Sequence, residues 1–437
     1  MRNAVDYSDK VIKRNSLLSL GCKILSMGFS LISAPLLLHC LGDTKYGIWA
    51  SILSIVSWIY YFDMGVGSGL RNKLAHFLAL GDDESANKCI GTAYASIGVM
   101  SAFIFFIVFI LITCLDVENL LNIHLETENL KICIGIAFLF ACINFVTSLV
   151  NNIYYSTQNA SGVNVFSLLG QAFFVLMLIL YSVLGVETLM LVALAEGCSQ
   201  LVKNIVATIC VLHKNTNLKI RFSDFEWKYV KYIMSFGLQM FVVQIAALVL
   251  NSTDNLIITR LYGPQAVTPY SLSFNYFNMI NSFYVVLITP FLSAYTVAYA
   301  KEDSEWIKNT LKKNALLYIV FVCGTLLAVV VFKPIMRIWL QQELLFDESV
   351  VILMALYFIL LMFSHIFSTF LTGVGMVKET TIFTVIGTVV NIPASIYFAD
   401  TLQLGTKGII LGTIVSMVIG IWVAPLKTIK ILSRKEK

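Results

Sequence analysis

The chain has 437 residues, 58% of them apolar and only 13% charged, with a formal net charge of +5. Soluble domains carry about 25% charged and about 45–50% apolar residues, so composition excludes a soluble fold and indicates an all-α polytopic membrane protein. The nine cysteines form no C-x-x-C pair and lie in or beside apolar runs. They read as small buried hydrophobes, with no metal or redox site.

A membrane helix needs roughly 20 mostly apolar residues. In chain order, that length predicts spans over 16–38, 46–66, 90–115, 131–152, 163–184, 188–211, 233–257, 267–296, 315–332, 350–372, 379–399 and 405–426. The first run, from Ser16, is too long for a signal peptide and lacks a small-x-small cleavage site, so it reads as the first span. The run ending at Phe332 is short, and Ile335–Leu340 extends it past Pro334.

Lys and Arg accumulate in cytoplasmic loops. With the N-terminus inside, 22 of them fall in cytoplasmic segments and five or six outside, Lys131 being at a boundary; Lys23 and Lys203 lie within helices. Both termini are therefore expected in the cytoplasm, and the number of spans is expected to be even. No P-loop, zinc motif or nucleophile elbow occurs, which argues against an ATPase or hydrolase. No catalytic residue, metal or cofactor is expected.

The halves resemble each other at an offset near 220. Leu184, Gly185 and Leu191 line up with Leu404, Gly405 and Leu411, and Gly170 with Gly387. The charged stretches 71–88 and 299–314 correspond as well. The expected organisation is a six-helix bundle over 1–212, a cytoplasmic linker over 213–231 and a second six-helix bundle over 232–437. Such a duplication suggests a central cavity that opens to either side.

Charges within spans cost about 2.5–3.5 kcal/mol on insertion scales, so they need a wet interior or a partner. Glu196, Gln200 and Lys203 share one helix face. That pattern reads either as a bridged structural ion pair or as a stripe lining the cavity. Gln244, Asn251 and Asp254 form a second row, Asn275, Asn278 and Ser282 a third, and Asn144, Ser148 with Asn151 or Asn152 a fourth. Hydrogen bonding between helices explains any one row; four rows suggest a shared aqueous cavity. Lys23 reads as a cavity cation or as a side chain that snorkels to the surface. Arg260 reads as an outer anchor or a site residue.

In FDMGVGSGLRNKLA (62–75), Asp63 closes an apolar run, Gly65, Gly67 and Gly69 follow, and Arg71 and Lys73 emerge. Asp63 is placed at the inner mouth and Asp254 at the outer one, each a candidate to load and release protons or gate access. YGIWASILSIVSWIYYFDMGVGSGLRNKLA (46–75) and NSTDNLIITRLYGPQAVTPYSL (251–272) resemble the paired signatures of bacterial O-antigen and capsule repeat-unit flippases, the Wzx type.

That resemblance spans essentially the whole chain. It implies the fold of the multidrug/oligosaccharidyl-lipid/polysaccharide exporter superfamily, with two six-helix bundles around a cavity, in the bacterial inner membrane. The implied substrate is an undecaprenyl-diphosphate-linked oligosaccharide, moved from the cytoplasmic to the periplasmic leaflet. Implied partners are the bilayer and the polymerase and chain-length regulator of the same polysaccharide, with no nucleic acid. By motif position, Asp63, Arg71, Asp254 and Arg260 carry over. With Lys23, Lys203, Asn251, Asn275 and Asn278, Arg71 and Arg260 make the expected substrate-binding set; Asp63, Glu196 and Asp254 make the coupling or gating set. Three alternatives stay open. They are a cation-coupled drug exporter of the same superfamily, a peptidoglycan-precursor flippase, and a repeat-unit polymerase, an enzyme that typically has a large periplasmic loop.

Overall fold

Lipid offers a backbone amide no partner, so apolar runs of bilayer length must satisfy their own hydrogen bonds as helices. The computed structural model describes residues 9–121, 129–157, 159–185, 188–234, 253–341 and 344–434, and no strand occurs among them. The chain divides into two compact units, Met1–Ile245 and Ala246–Lys437.

In the first unit, helix α1 (Asp9–Ser57) covers the first two expected spans. At about 1.5 Å per residue it is far too long for a single crossing. It is two helices joined at Gly42, whose φ of 70° and ψ of 173° break the helix without a turn loop; a side chain at that φ is disfavoured. A short 3-10 turn, Trp58–Tyr61, leads to Asp63 and Gly65. The stretch from 71, expected as a charged loop, is instead mostly helix α2 (Val66–Leu80). Its period explains this: Val66, Leu70 and Leu74 lie four apart and are buried, leaving Arg71 on the exposed side.

Asp82 opens α3 (Asp83–Cys114) by accepting a hydrogen bond from the Ser85 amide at 3.0 Å. Helix α4 (Val117–Leu121) follows. The expected fourth span is divided at Ser148 and Leu149 into α5 (Leu130–Thr147) and α6 (Val150–Ser156). Helices α7 (Ala160–Leu184) and α8 (Leu189–Lys214) follow, α7 packing on α1 and α8 on α5 and α7. A Cβ at Gly197 would fall on the Phe140 ring, so α8 approaches α5 through a small residue, as helices packed within lipid do.

The segment expected as a linker packs on the first unit. Residues 215–234 lie against α2 and α3 of the first unit, held by Asn87 to Asn217 and Lys219, Lys88 to Glu226, Thr92 to Glu226 and Ser85 to Tyr229. The side chains and amides that bond there had no signature in hydropathy, which is why the segment read as a connection.

The second unit comprises α9 (Asp254–Tyr262), α10 (Pro264–Ala300), α11 (Ser304–Val330), α12 (Phe332–Leu340), α13 (Glu348–Gly373), α14 (Lys378–Ile396), α15 (Thr406–Ile421) and α16 (Val423–Arg434). Helix α13 packs on α10 and α11, and α14 on α15. Cβ atoms at Gly412 and Gly387 would fall on Ser395 of α14 and Ser416 of α15. The chain beyond Val330 does extend the short ninth span, but as the separate helix α12, tied by Lys333 to Glu348.

Among the described residues, nine segments are long and apolar enough to cross a bilayer. The first of them, Leu18–Tyr61, includes the break at Gly42. Helix α10 is long enough but carries Asn275, Asn278 and Asn281, and is not among the nine.

Candidate functional site

In the first unit, α1, α7 and α8 line an open-sided cavity of about 160 Å³. Ser30 and Ser33 face it from α1, Gln171 and Phe174 from α7, and Glu196 and Gln200 from α8. Glu196, Gln200 and Lys203 follow the helical period that the sequence suggested, and they bond in series. Gln200 Nε2 donates to Glu196 Oε1 at 3.2 Å, and Lys203 Nζ donates to Gln200 Oε1 at 2.6 Å. The Lys203 stem lies against Gly170 of α7, where a Cβ would come within 3.1 Å of it. Gln171 Oε1 is buried with no hydrogen-bond partner among the described residues. Lys23 lies seven residues before Ser30 on α1, on the same helix face, and is exposed.

The row on α5 is different. Asn144 is buried, donating to the Gly197 carbonyl at 3.0 Å and accepting from Asn204 Nδ2 at 3.3 Å. Asn204 also donates to Thr147 Oγ1 at 3.1 Å. These are bonds between helices, so at Asn144 the packing explanation holds and the cavity-lining one does not.

Asp63 is held at the start of α2. Its Oδ1 accepts from the Gly65 amide at 2.8 Å and its Oδ2 from the Gly67 amide at 3.0 Å. Gly65 has a φ of 76°, which permits the tight turn. At Gly67 a Cβ would come within 2.9 Å of Asn152 Nδ2, so α6 faces the same turn. Arg71 is exposed, stacked on the Tyr155 ring at 4.6 Å, and its carbonyl accepts from Ser156 Oγ at 2.9 Å.

In the second unit, Asp254 is only 9% exposed. Tyr270 donates to its Oδ2 at 2.6 Å, and Thr413 Oγ1 lies 3.3 Å from both carboxylate oxygens. Asn391 Nδ2 donates to Thr413 at 3.1 Å, and Thr253 Oγ1 to Asn391 at 3.4 Å. Sequence placed Asp254 at the outer mouth of a cavity; the carboxylate lies in a polar cluster walled by α10, α14 and α15. Tyr270 could have been found, since it lies in the same quoted signature. Asn391 and Thr413, far along the chain, left no local signal. Arg260 ends α9 and is exposed, Asn275 is exposed and Asn278 half-buried on α10. Asn251 and Gln244 lie outside the described residues.

Comparison with known proteins agrees with this architecture. A candidate O-antigen transporter of Salmonella typhimurium is 21% identical over 416 residues, covering 92% of this chain and 93% of that protein. Another, from Salmonella typhi, is 27% identical over 139 residues, 30% of each chain. Among solved structures, the inward-facing conformation of a multidrug resistance MATE family transporter superposes with a TM-score of 0.77 at 15% identity, covering 96% of this chain and 99% of that one. A MOP superfamily transporter from Pyrococcus furiosus gives a TM-score of 0.64 at 16% identity, with 97% of each chain covered. At these identities the structural likeness is one of fold.

The long apolar helices make the chain a multi-pass membrane protein, and its fold is that of MATE family transporters. The chain belongs to the polysaccharide biosynthesis protein family, whose model matches residues 12–296. The MatE family model matches residues 240–397.

Proposed function

We propose that this transporter is a flippase for an undecaprenyl-diphosphate-linked oligosaccharide, an O-antigen or related repeat unit. It moves the lipid from the cytoplasmic to the periplasmic leaflet of the bacterial inner membrane by alternating access. In this reading the chain crosses the membrane twelve times as two six-helix halves, with both termini cytoplasmic. The polymerase and chain-length regulator of the same polysaccharide act after it.

The observation that carries the proposal is the Glu196–Gln200–Lys203 series beside a polar cavity, within the region matched by the polysaccharide family. A diphosphate bears about two negative charges and its glycan is strongly hydrated, so the head cannot cross about 30 Å of hydrocarbon unaided. The prenyl tail is already in lipid. The protein must therefore supply cations and amides for the head and leave the tail outside. With α1 and α8 antiparallel, as twelve crossings require, Lys23 and Lys203 lie on the same side of the cavity, each about 10 Å along its helix from Ser30 and Glu196. Arg71, Arg260, Asn251, Asn275 and Asn278 complete the proposed head-group set. Asp254 and Glu196 are the proposed coupling groups, and Asp63 the proposed gate.

Depletion of the protein followed by analysis of lipid-linked sugars tests this reading. Accumulation of an undecaprenyl-diphosphate oligosaccharide on the cytoplasmic leaflet is expected. Unchanged lipid-linked sugar pools on depletion would overturn it. The MatE match to 240–397 favours a second reading, a cation-coupled exporter of small molecules. On that reading depletion raises drug sensitivity and leaves the lipid-linked sugars unchanged.

A further inference from the structure

The segment 215–234 carries Lys219, Arg221, Lys228 and Lys231 against Asp224 and Glu226. Glu226 is bound to Lys88 at 3.0 Å, whereas those four cations are exposed and form no ion pair among the described residues. Interleaved with them are exposed aromatic rings: Phe222 at 61% and Trp227 at 72%, Trp227 edge-on to Phe225 with centroids 5.6 Å apart.

Its docking on α3 fixes the depth of each group. Lys88 is the last charged residue of α3, and everything from Cys89 to Cys114 is uncharged. A Cβ at Gly91 would fall on the Arg221 carbonyl oxygen, which puts Arg221 about 4.5 Å along the helix beyond Lys88. A Cβ at Gly98 would come 3.8 Å from the Phe222 ring, about 15 Å beyond Lys88. From that level onward α3 exposes Val99, Phe103, Phe106 and Ile110, the surface that a spanning helix turns to acyl chains. Phe222 thus stands at the depth where α3 meets hydrocarbon, while Arg221 stands nearer the charged end.

We propose that residues 219–231 are a docking surface for an anionic phospholipid leaflet, with Phe222 and Trp227 set into the leaflet and Lys219, Arg221, Lys228 and Lys231 on its phosphates. Aromatic rings favour the membrane interface, and each nearby cation adds attraction to anionic lipid. The net positive charge of the segment complements that lipid and not a zwitterionic one. Because the segment is bonded to α3 at Asn87, Lys88, Thr92 and Ser85, lipid held there holds the first unit.

The test uses the full chain in bilayer discs containing anionic lipid. Tryptophan fluorescence is compared between wild type and Trp227→Phe, with lipids brominated near the headgroup and with aqueous iodide as separate quenchers. The component lost in Trp227→Phe is expected to be quenched by brominated lipid and shielded from iodide. Replacing Lys219, Arg221, Lys228 and Lys231 together by glutamine is expected to lower the co-purified anionic lipid at least about fivefold. Iodide quenching of the Trp227 component without quenching by brominated lipid, or unchanged anionic lipid in the four-cation variant, overturns the proposal and leaves the surface facing water, open to a soluble partner.

Discussion

Tyr270 donates its hydroxyl to Asp254 at 2.6 Å, joining α10 to α9 through one carboxylate. Thr413 reaches the same carboxylate from α15, and Asn391 backs Thr413 from α14. Three helices of the second unit thus meet at one acidic side chain, and a fourth backs it through Thr413. Such a cluster either locks the unit or serves as the place where a coupling cation binds, and the two roles separate experimentally.

Tyr270→Phe removes one donor and leaves a buried carboxylate short of a partner, a cost of about 1–3 kcal/mol. Its thermal midpoint in detergent should fall. Asp254→Asn keeps the volume and removes the charge. If Asp254 couples an ion, Asp254→Asn abolishes transport at normal protein level, while Tyr270→Phe retains transport in proportion to folded protein. Full transport in Asp254→Asn assigns the cluster to structure alone.

Asp63 is held by the Gly65 and Gly67 amides, and this position separates capping from charge. Asparagine keeps one acceptor oxygen and turns an NH2 toward the other backbone N–H, so Asp63→Asn should lose some stability and Asp63→Ala, with neither acceptor, more, within the about 0.5–2 kcal/mol typical of a lost cap. The proposed gating role predicts that Asp63→Asn loses surface polysaccharide even where its protein level matches wild type. Normal polysaccharide in Asp63→Asn with loss in Asp63→Ala would make Asp63 a cap only.

How much of this was legible in sequence depended on period. The Glu196, Gln200 and Lys203 row lies on one helix, so spacing placed it, and the side chains bond in that order. Van der Waals proximity across helices has no such period. The same polar spacing on α5 left packing and cavity lining both open for Asn144, and only the bonds to Gly197 and Asn204 decide for packing. Ser30, Ser33 and Gln171 come from two distant helices and were invisible until α1 and α7 packed. Helix α2 was hidden for another reason. Its charges drew attention away from the buried Val66, Leu70 and Leu74.

The Glu196–Gln200–Lys203 series predicts a double-mutant result. Lys203→Met alone removes the cation that Gln200 links to the carboxylate, and Glu196→Gln alone removes the charge at the other end of the series. The two charged groups are bridged by Gln200 and half-buried, so each single variant should cost less than the about 3–5 kcal/mol of breaking a directly paired, buried ion pair. The double variant should recover much of the stability lost by either single one, yet should not flip substrate. Recovery of transport together with stability would reduce the row to packing.

Gly69 predicts the anchoring of the segment beyond α8. A Cβ there would fall on the Ile233 carbonyl oxygen. Overpacking of this kind costs about 1–3 kcal/mol. Gly69→Ala should expose residues 215–234 to added protease while Gly21→Ala, with open space around its Cβ position, should not. Equal protection in both variants would contradict the docked arrangement.

A flippase moves the polar head of a prenyl-diphosphate oligosaccharide across the bilayer. Purified protein in sealed liposomes, loaded with that lipid bearing a labelled glycan, tests it most directly. Access of an impermeant glycosidase to the glycan is followed over time. Full digestion with wild type and about half with protein-free liposomes or the Lys23→Ala, Lys203→Ala double variant is the predicted result. Digestion that stops at the same half with wild type, while the protein exports a small organic cation, would contradict the account.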